Sequence, residues 1–394
     1  MDLPRLKIGL STDLLPVYIK DKDRYTNILL LGKSGTGKSS LMASWWEQDC
    51  FFKSAKVLIE PSGFLARDCY SIAKGRGHYC SLSTPVSINP MQSPYDPNTI
   101  SDIIAEALNQ VITLTTPNDK LTVKMRGILD KAIKWCLERN RRSLVHVRDF
   151  ILNLKEPGIG ETKDGVIQRL NFLLNDERLL PILCGNNSIE WGALIEKRET
   201  FILDCFGMSR EKMIFTGNII SQGIKNYFRF QRPAQYKPLA LYVDECQNFV
   251  NFNFMDILKE GRKYKLSCVL ATQDFASIDE KLTKVMCNVG TLITYRVGFR
   301  EAQLLANEMG KIKEDTVEYV LQGGKLVEKR TAYDSREVLK TLEKHYLAYM
   351  TPQEKGIAKA PRPPLVKKIE PKVVKIQPRS KLAWFPLEPY GVQG

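Results

Sequence analysis

The octet Gly32, Lys33, Ser34, Gly35, Thr36, Gly37, Lys38 and Ser39 constrains this chain more than any other feature. It follows the apolar run Asn27–Leu31 and precedes Leu41–Trp46, which reads as the start of a helix. The spacing is G-x-x-x-x-G-K-[ST], in which a strand ends, the backbone wraps an anion and a helix begins. Glycine permits backbone conformations and close approaches that a Cβ would block. The turned N–H groups and the helix N-terminus then offer partial positive charge to anionic oxygens. At this spacing Lys38 reaches the β- and γ-phosphates of a nucleotide, Ser39 ligates Mg²⁺, and Ser40 completes the binding set.

The strand–loop–helix order continues with a β-like run, Lys56–Glu60, and a turn at Pro61–Gly63, as at the start of a parallel α/β sheet. From about Thr99 to Leu183 the pattern becomes helical, for example in Ile103–Val111 and Arg126–Leu137. Short apolar runs then return at Thr200–Cys205, Leu239–Val243, Leu266–Ala271 and Gly290–Arg296, as expected of strands covered on both faces. The expected organisation is a lead-in over 1–26, an α/β core over 27–95 and 186–350, an inserted helical domain over 96–185, and a tail over 351–394. Seven prolines between Pro361 and Pro389 argue against a helical or sheet domain in that tail, which is expected to be disordered.

A chain of 394 residues with 43% hydrophobic and 26% charged residues suits a globular protein of two or three domains. No apolar run approaches the roughly 20 residues needed to cross a bilayer, and the N-terminus lacks a secretory signal, so a cytoplasmic location is expected, with room for docking on a membrane or capsid complex. Nine cysteines without a CxxC pair and three histidines give no zinc set. The net charge of +14 favours a polyanionic partner. From Lys355 onward nine basic residues face two acidic ones, so half of that excess sits on the tail.

Leu239–Val243 ends in two carboxylates, Asp244 and Glu245. Phosphoryl transfer to water needs this pairing: Asp244 to hold Mg²⁺ and Glu245 to polarise the attacking water. The next strand, Leu266–Gln273, ends in an uncharged amide, Gln273, placed on the same sheet edge as Lys38 and Glu245, where it can sense the γ-phosphate. Ile257–Lys265 reads as a basic helix whose Arg262 can neutralise charge on a neighbouring subunit's nucleotide. ATP and Mg²⁺ are the expected cofactors.

In this order these residues resemble the HerA/FtsK superfamily of DNA-pumping ATPases, and most closely the motor domain of type IV secretion coupling proteins, the TraD/TrwB group. The resemblance covers roughly Asn27 to Glu308. It rests on Gly32–Ser39, Leu241–Phe249, Glu260–Tyr264, Val269–Gln273 and Asn288–Gly298. It implies a RecA-like core, a helical insertion after the second strand, and a homo-oligomeric ring, usually hexameric, with DNA in its channel. It also implies that Arg262 reaches the adjacent subunit's nucleotide, with Arg296 as the fallback. The chain departs from the group in lacking the transmembrane helices of coupling proteins, the winged helix of FtsK and the β-barrel of HerA, and in having Glu60-Pro61 where many relatives have Asp-Pro. Conjugative transfer and genome packaging both fit. A motor for protein or pilus subunits is the alternative, and a slow nucleotide-gated assembly protein is a third. Candidate DNA contacts are Lys120, Lys124 and Arg126 in the helical region, Lys325, Lys329 and Arg330 in a late loop, and the basic tail with its terminal Trp384–Tyr390 segment.

Overall fold

The computed structural model describes residues 5–52, 54–115, 119–186, 188–231, 235–249, 252–276, 278–312, 316–322, 325–331 and 333–373. They fall into two compact units. The first takes Met1–Gly77, Leu194–Ile202 and Arg232–Glu370; the second takes His78–Ala193, Leu203–Gln231 and Pro371–Gly394.

The first unit is built on a sheet. Its strands are β1 (Leu6–Ser11), β2 (Pro16–Ile19), β3 (Ile28–Leu31) and β4 (Ala55–Glu60), and, later in the chain, β7 (Leu239–Val243), β8 (Leu266–Thr272), β9 (Thr291–Thr294), β12 (Tyr346–Met350) and β13 (Lys355–Lys359). They lie in the order β2-β1-β13-β12-β9-β3-β8-β7-β4. The five central strands β9, β3, β8, β7 and β4 run parallel. The strands on the far side of β9 pair antiparallel. Every residue of β3, β4, β7, β8 and β9 is buried, which explains their near-continuous apolar sequence. Helix α1 (Lys38–Phe51) follows β3, and α2 (Phe64–Ile72) follows β4.

Two expectations about the chain ends change here. Residues 6–11 and 16–19, read as lead-in, form β1 and β2 of the sheet. Residues 355–359, read as tail, form β13, wedged between β1 and β12. The alternating period of β13 is short and its charges face out, so the sequence pattern alone is weak. The described chain then runs on without regular structure to Val373. There Ile369 N donates to Ser71 Oγ at 3.0 Å. Pro363, Pro364, Val366 and Lys368 border a cavity of about 190 Å³ together with Ser39, Ser40 and α2. The Trp384–Tyr390 segment lies outside the described residues.

A buried ion pair fastens the lead-in to the core. The Arg24 guanidinium donates to both Asp49 oxygens at 2.7 and 2.8 Å, and the Tyr242 hydroxyl donates to Asp49 Oδ2 at 2.6 Å. Arg24 and Asp49 are fully buried. Burial alone would lower the Arg24 pKa; the adjacent Asp49 carboxylate more than offsets this and raises it. The three groups join the segment before β3, the last turns of α1, and β7.

The second unit is mainly helical. It contains α3 (Pro97–Thr115), α4 (Val123–Glu138), α5 (Leu144–Asn153) and α6 (Gly160–Leu174), and also the helix Arg210–Asn226. α3 packs on α4 and on Arg210–Asn226, while α5 packs on α4 and α6. Leu129, Ala132, Ile133 and Cys136 of α4 and Leu170 and Leu173 of α6 are fully buried, the one-sided pattern of amphipathic helices. Strand β5 (His78–Cys80) belongs to this unit, and β6 (Thr200–Asp204) divides between the two. Lys120 and Lys124 are exposed. Arg126 pairs with Asp102 and with Asp130, so two carboxylates offset its charge. The residues Lys325, Lys329 and Arg330, expected in a loop, belong to strand β11 (Lys325–Thr331), which forms an antiparallel hairpin with β10 (Thr316–Gln322).

Candidate active site

Strand register decides which side chains share the upper edge of the sheet. Leu31 at the end of β3 aligns with Thr272 of β8 and with Thr294 of β9. Val243 aligns with Leu270 and with Ile59. The phosphate loop, Gln273, Asp244, Glu245 and Glu60 therefore leave the sheet side by side at the carboxyl ends of parallel strands, where open α/β sheets take ligands.

Gly32 to Gly37 form the turn and Lys38 opens α1 with no side-chain cap, so the first N–H groups of the helix face the loop cavity. Gly35 at φ 74° and Gly37 at φ 116° adopt left-handed conformations that strain other residues. At Gly32 there is a steric reason as well: a Cβ would stand 2.8 Å from the Cβ of Tyr295, which packs beneath the loop. Tyr295 is a component that the sequence reading did not single out. Lys38 is buried, and its Nζ donates to the Gly32 carbonyl at 2.6 Å and the Lys33 carbonyl at 3.3 Å. Burial lowers its pKa, and Glu245 and Asp244 hold it partly up. Lys33, Ser34 and Ser39 are exposed, with Thr36 and Ser40 half-buried.

The Ser39 hydroxyl lies 3.4 Å from Asp244 Oδ2. Burial first, then the charges of Glu245 and Glu60, push the Asp244 carboxyl up to about 6. Such crowding of carboxylates with hard oxygen donors fits a Mg²⁺ ion, which would offset the repulsion. Among the described residues no cluster of three metal-ligating side chains occurs. An ion held by Ser39 and Asp244 would therefore take its remaining ligands from water and phosphate. Glu60 serves the neighbouring backbone: its carboxylate accepts from the Ser62 N–H at 2.8 Å, from the Ser62 hydroxyl, and from the Gly63 and Ala66 N–H groups at the start of α2.

Glu245 sits at φ 44°, ψ 49°, an uncommon region for a residue with a Cβ, which costs on the order of 1–3 kcal/mol and persists only where the surroundings impose it. Gln273 Nε2 donates to Glu245 Oε1 at 2.6 Å. Gln247 Nε2 donates to Glu245 Oε2 at 2.7 Å. The structure thus brings Lys38, Ser39, Asp244, Glu245 and Gln273 to one edge, and adds Gln247. Arg262 is elsewhere. It lies exposed in the one-turn 3-10 helix Gly261–Tyr264 that precedes β8, whereas Gln273 follows β8. A strand of that length puts roughly 20 Å between Arg262 and its own phosphate loop. Arg296 is exposed beside the loop, and its carbonyl accepts from Lys33 N at 3.1 Å.

Over 93% of its length the chain superposes on 92% of TrwBdeltaN70, a bacterial conjugative coupling protein in an unbound form, with a TM-score of 0.69 at 11% identity. The fold is that of TrwB, a RecA-like core. TrwB in complex with ADP and Mg²⁺ matches with a TM-score of 0.68 and 13% identity, over 93% of this chain and 92% of that one. VirB4 of Thermoanaerobacter pseudethanolicus matches with a TM-score of 0.67 and 14% identity, over 92% of this chain and 98% of that one. A family model described as the TraM recognition site of TraD and TraG matches residues 238–350, which include Asp244, Glu245, Arg262 and Gln273 but not the phosphate loop. No curated protein matches the chain. No helix among the described residues is long and apolar enough to cross a membrane.

Proposed function

We propose that this protein is a Mg²⁺-dependent ATPase that uses hydrolysis to move DNA, working in the cytoplasm as a homo-oligomeric ring. The observation that carries this reading is the common sheet edge: phosphate loop, Asp244, Glu245 and Gln273 stand together, with hydrogen-bonded contact between Glu245 and Gln273. The loop amides and Lys38 hold the phosphate chain, and the Lys38 ammonium leaves the Gly32 carbonyl for phosphate oxygens. Ser39 and Asp244 would hold a magnesium ion, which would supply charge neutralisation to the phosphate chain. Glu245 orients a water and accepts its proton. Gln273, on the strand next to the loop, exchanges its carboxylate partner for the γ-phosphate.

The position of Arg262 supports the ring. It stands at the wrong end of β8 to serve its own nucleotide but is exposed, as a residue acting on a neighbour's nucleotide must be. Mixing Arg262→Ala with Lys38→Ala protein should restore part of the activity that each lacks alone, and no recovery would remove the trans assignment. Lys120 and Lys124 of the helical unit, the β10–β11 hairpin and the basic tail are the candidate DNA contacts, and the tail is also the candidate contact to a membrane or capsid complex.

ATP turnover stimulated by DNA, with stimulation falling steeply between low and physiological salt, is the expected result, because phosphate contacts release counterions. Absence of any stimulation at low salt would favour a protein or pilus-subunit cargo over DNA.

A further inference from the structure

Glu245 is held at both carboxylate oxygens, and the two holders differ in what holds them. Gln273 Nε2 reaches Oε1 at 2.6 Å, and Gln247 Nε2 reaches Oε2 at 2.7 Å. Gln247 is itself fixed from behind: its Oε1 lies 2.8 Å from the Thr272 hydroxyl, whose proton is shared with the Asp274 carbonyl at 2.7 Å. The Glu245 carboxylate sets the amide's orientation and the hydroxyl holds its far end. With the amide reversed, an oxygen would face a carboxylate oxygen at 2.7 Å, a repulsive contact. Thr272 is completely buried at the end of β8, and the preceding residues of that strand pair with β3 and β7, so this anchor does not move with solvent. Among the described residues the Gln273 side chain bonds to Glu245 alone, and Gln273 follows Thr272, which aligns with Leu31 at the start of the phosphate loop.

Each oxygen keeps a further lone pair, but an amide at 2.6–2.7 Å occupies part of the approach to it. Departure of one amide gives a water the fuller access that proton transfer uses. From the anchoring, we propose that Gln247 is the positioning residue of the site: it keeps one oxygen of Glu245 fixed through Thr272, while Gln273 is the exchangeable partner that frees the other oxygen when a γ-phosphate is present. Thr272, Gln247 and Glu245 thus form a relay of orientation from the sheet to the hydrolytic carboxylate. Gln247 touches neither nucleotide nor the attacking water. It acts through Glu245, and the left-handed backbone at Glu245 is the strained position that this clamp helps to hold. This inference rests on Glu245 being the hydrolytic base.

The test is steady-state ATPase kinetics on the full chain, with ATP affinity measured separately by equilibrium binding. Gln247→Ala should lower kcat by about 10- to 100-fold, the usual cost of misplacing a catalytic group by about an ångström. KM for ATP and ATP affinity should stay within about twofold, since ground-state phosphate contacts are untouched. Thr272→Val should lower kcat in the same direction, and Thr272→Ser, which keeps the hydroxyl, should restore it. Because the two act in series, Gln247→Ala with Thr272→Val should be no slower than Gln247→Ala alone. A merely structural role would move thermal stability and KM and would not follow the hydroxyl. Wild-type kcat in Gln247→Ala, or additive losses in the double variant, would overturn the relay. These outcomes are separable from failure of the parent reading: if Glu245→Gln still turned over ATP, the base itself would be misassigned, whereas an inactive Glu245→Gln beside a fully active Gln247→Ala would remove Gln247 alone.

Discussion

Glu245→Gln should bind ATP as the parent protein does and turn it over at least 10²- to 10⁴-fold more slowly, the range that a positioned general base contributes. The substitution keeps the side-chain volume and removes only the basic oxygen. The expected separation is sharp because the proposed binding groups and the proposed base stand on different strands. The phosphate loop follows β3, and Glu245 follows β7 with β8 between them. Replacing Glu245 leaves Lys38, the loop amides, Ser39 and Asp244 in place, so nucleotide affinity measured by a fluorescent analogue should change little. Turnover near the parent rate would mean that another group activates water and would dismantle the assignment of Glu245. Lost binding together with lost turnover would mean that the residue shapes the loop.

Asp49→Asn is expected to give the largest loss of stability. It removes the charge facing Arg24 in a fully buried pair and leaves a guanidinium in the core without its counterion. Breaking one partner of such a pair costs about 3–5 kcal/mol, a large part of the stability of an ordinary domain. The readout is the midpoint of urea unfolding followed by tryptophan fluorescence, since Trp45 and Trp46 of the same helix are fully buried. A double replacement, Arg24→Met with Asp49→Leu, should be milder than the single one, because neither charge then remains buried. If Asp49→Asn shifted the midpoint by less than about 1 kcal/mol equivalent, the pair would not be the fastening of the lead-in that its burial implies. The effect should reach the site indirectly, because Tyr242, bonded to Asp49, lies two residues before Asp244 on β7.

Some of this was readable from spacing along one stretch of chain. Gly32 to Ser39 requires a strand before it and a helix after it, and Leu239 to Glu245 requires a buried strand ending in carboxylates. Both depend on contacts between near neighbours. Gln273 was legible for a related reason: a polar amide ending an apolar strand has few uses other than the sheet edge. Gln247 carried no such signal, because a polar residue two positions after a carboxylate is ordinary in a surface turn. Only the register that sets β8 beside β7, and the left-handed turn at Glu245, direct its amide at Oε2 and its carbonyl at Thr272.

The same division runs through the fold. The sequence by itself determined the parallel core, the helical character of the second unit and the strand–loop–helix order around Gly32–Ser39, because strand and helix periods and loop motifs are local properties. Tertiary structure alone decided that residues 6–11 and 355–359 pair at one side of the sheet and that Arg24 meets Asp49 and Tyr242 in the core. Each of these depends on residues distant in the chain finding one register, and a side chain's partner across a sheet follows from that register rather than from any pattern in its own neighbourhood.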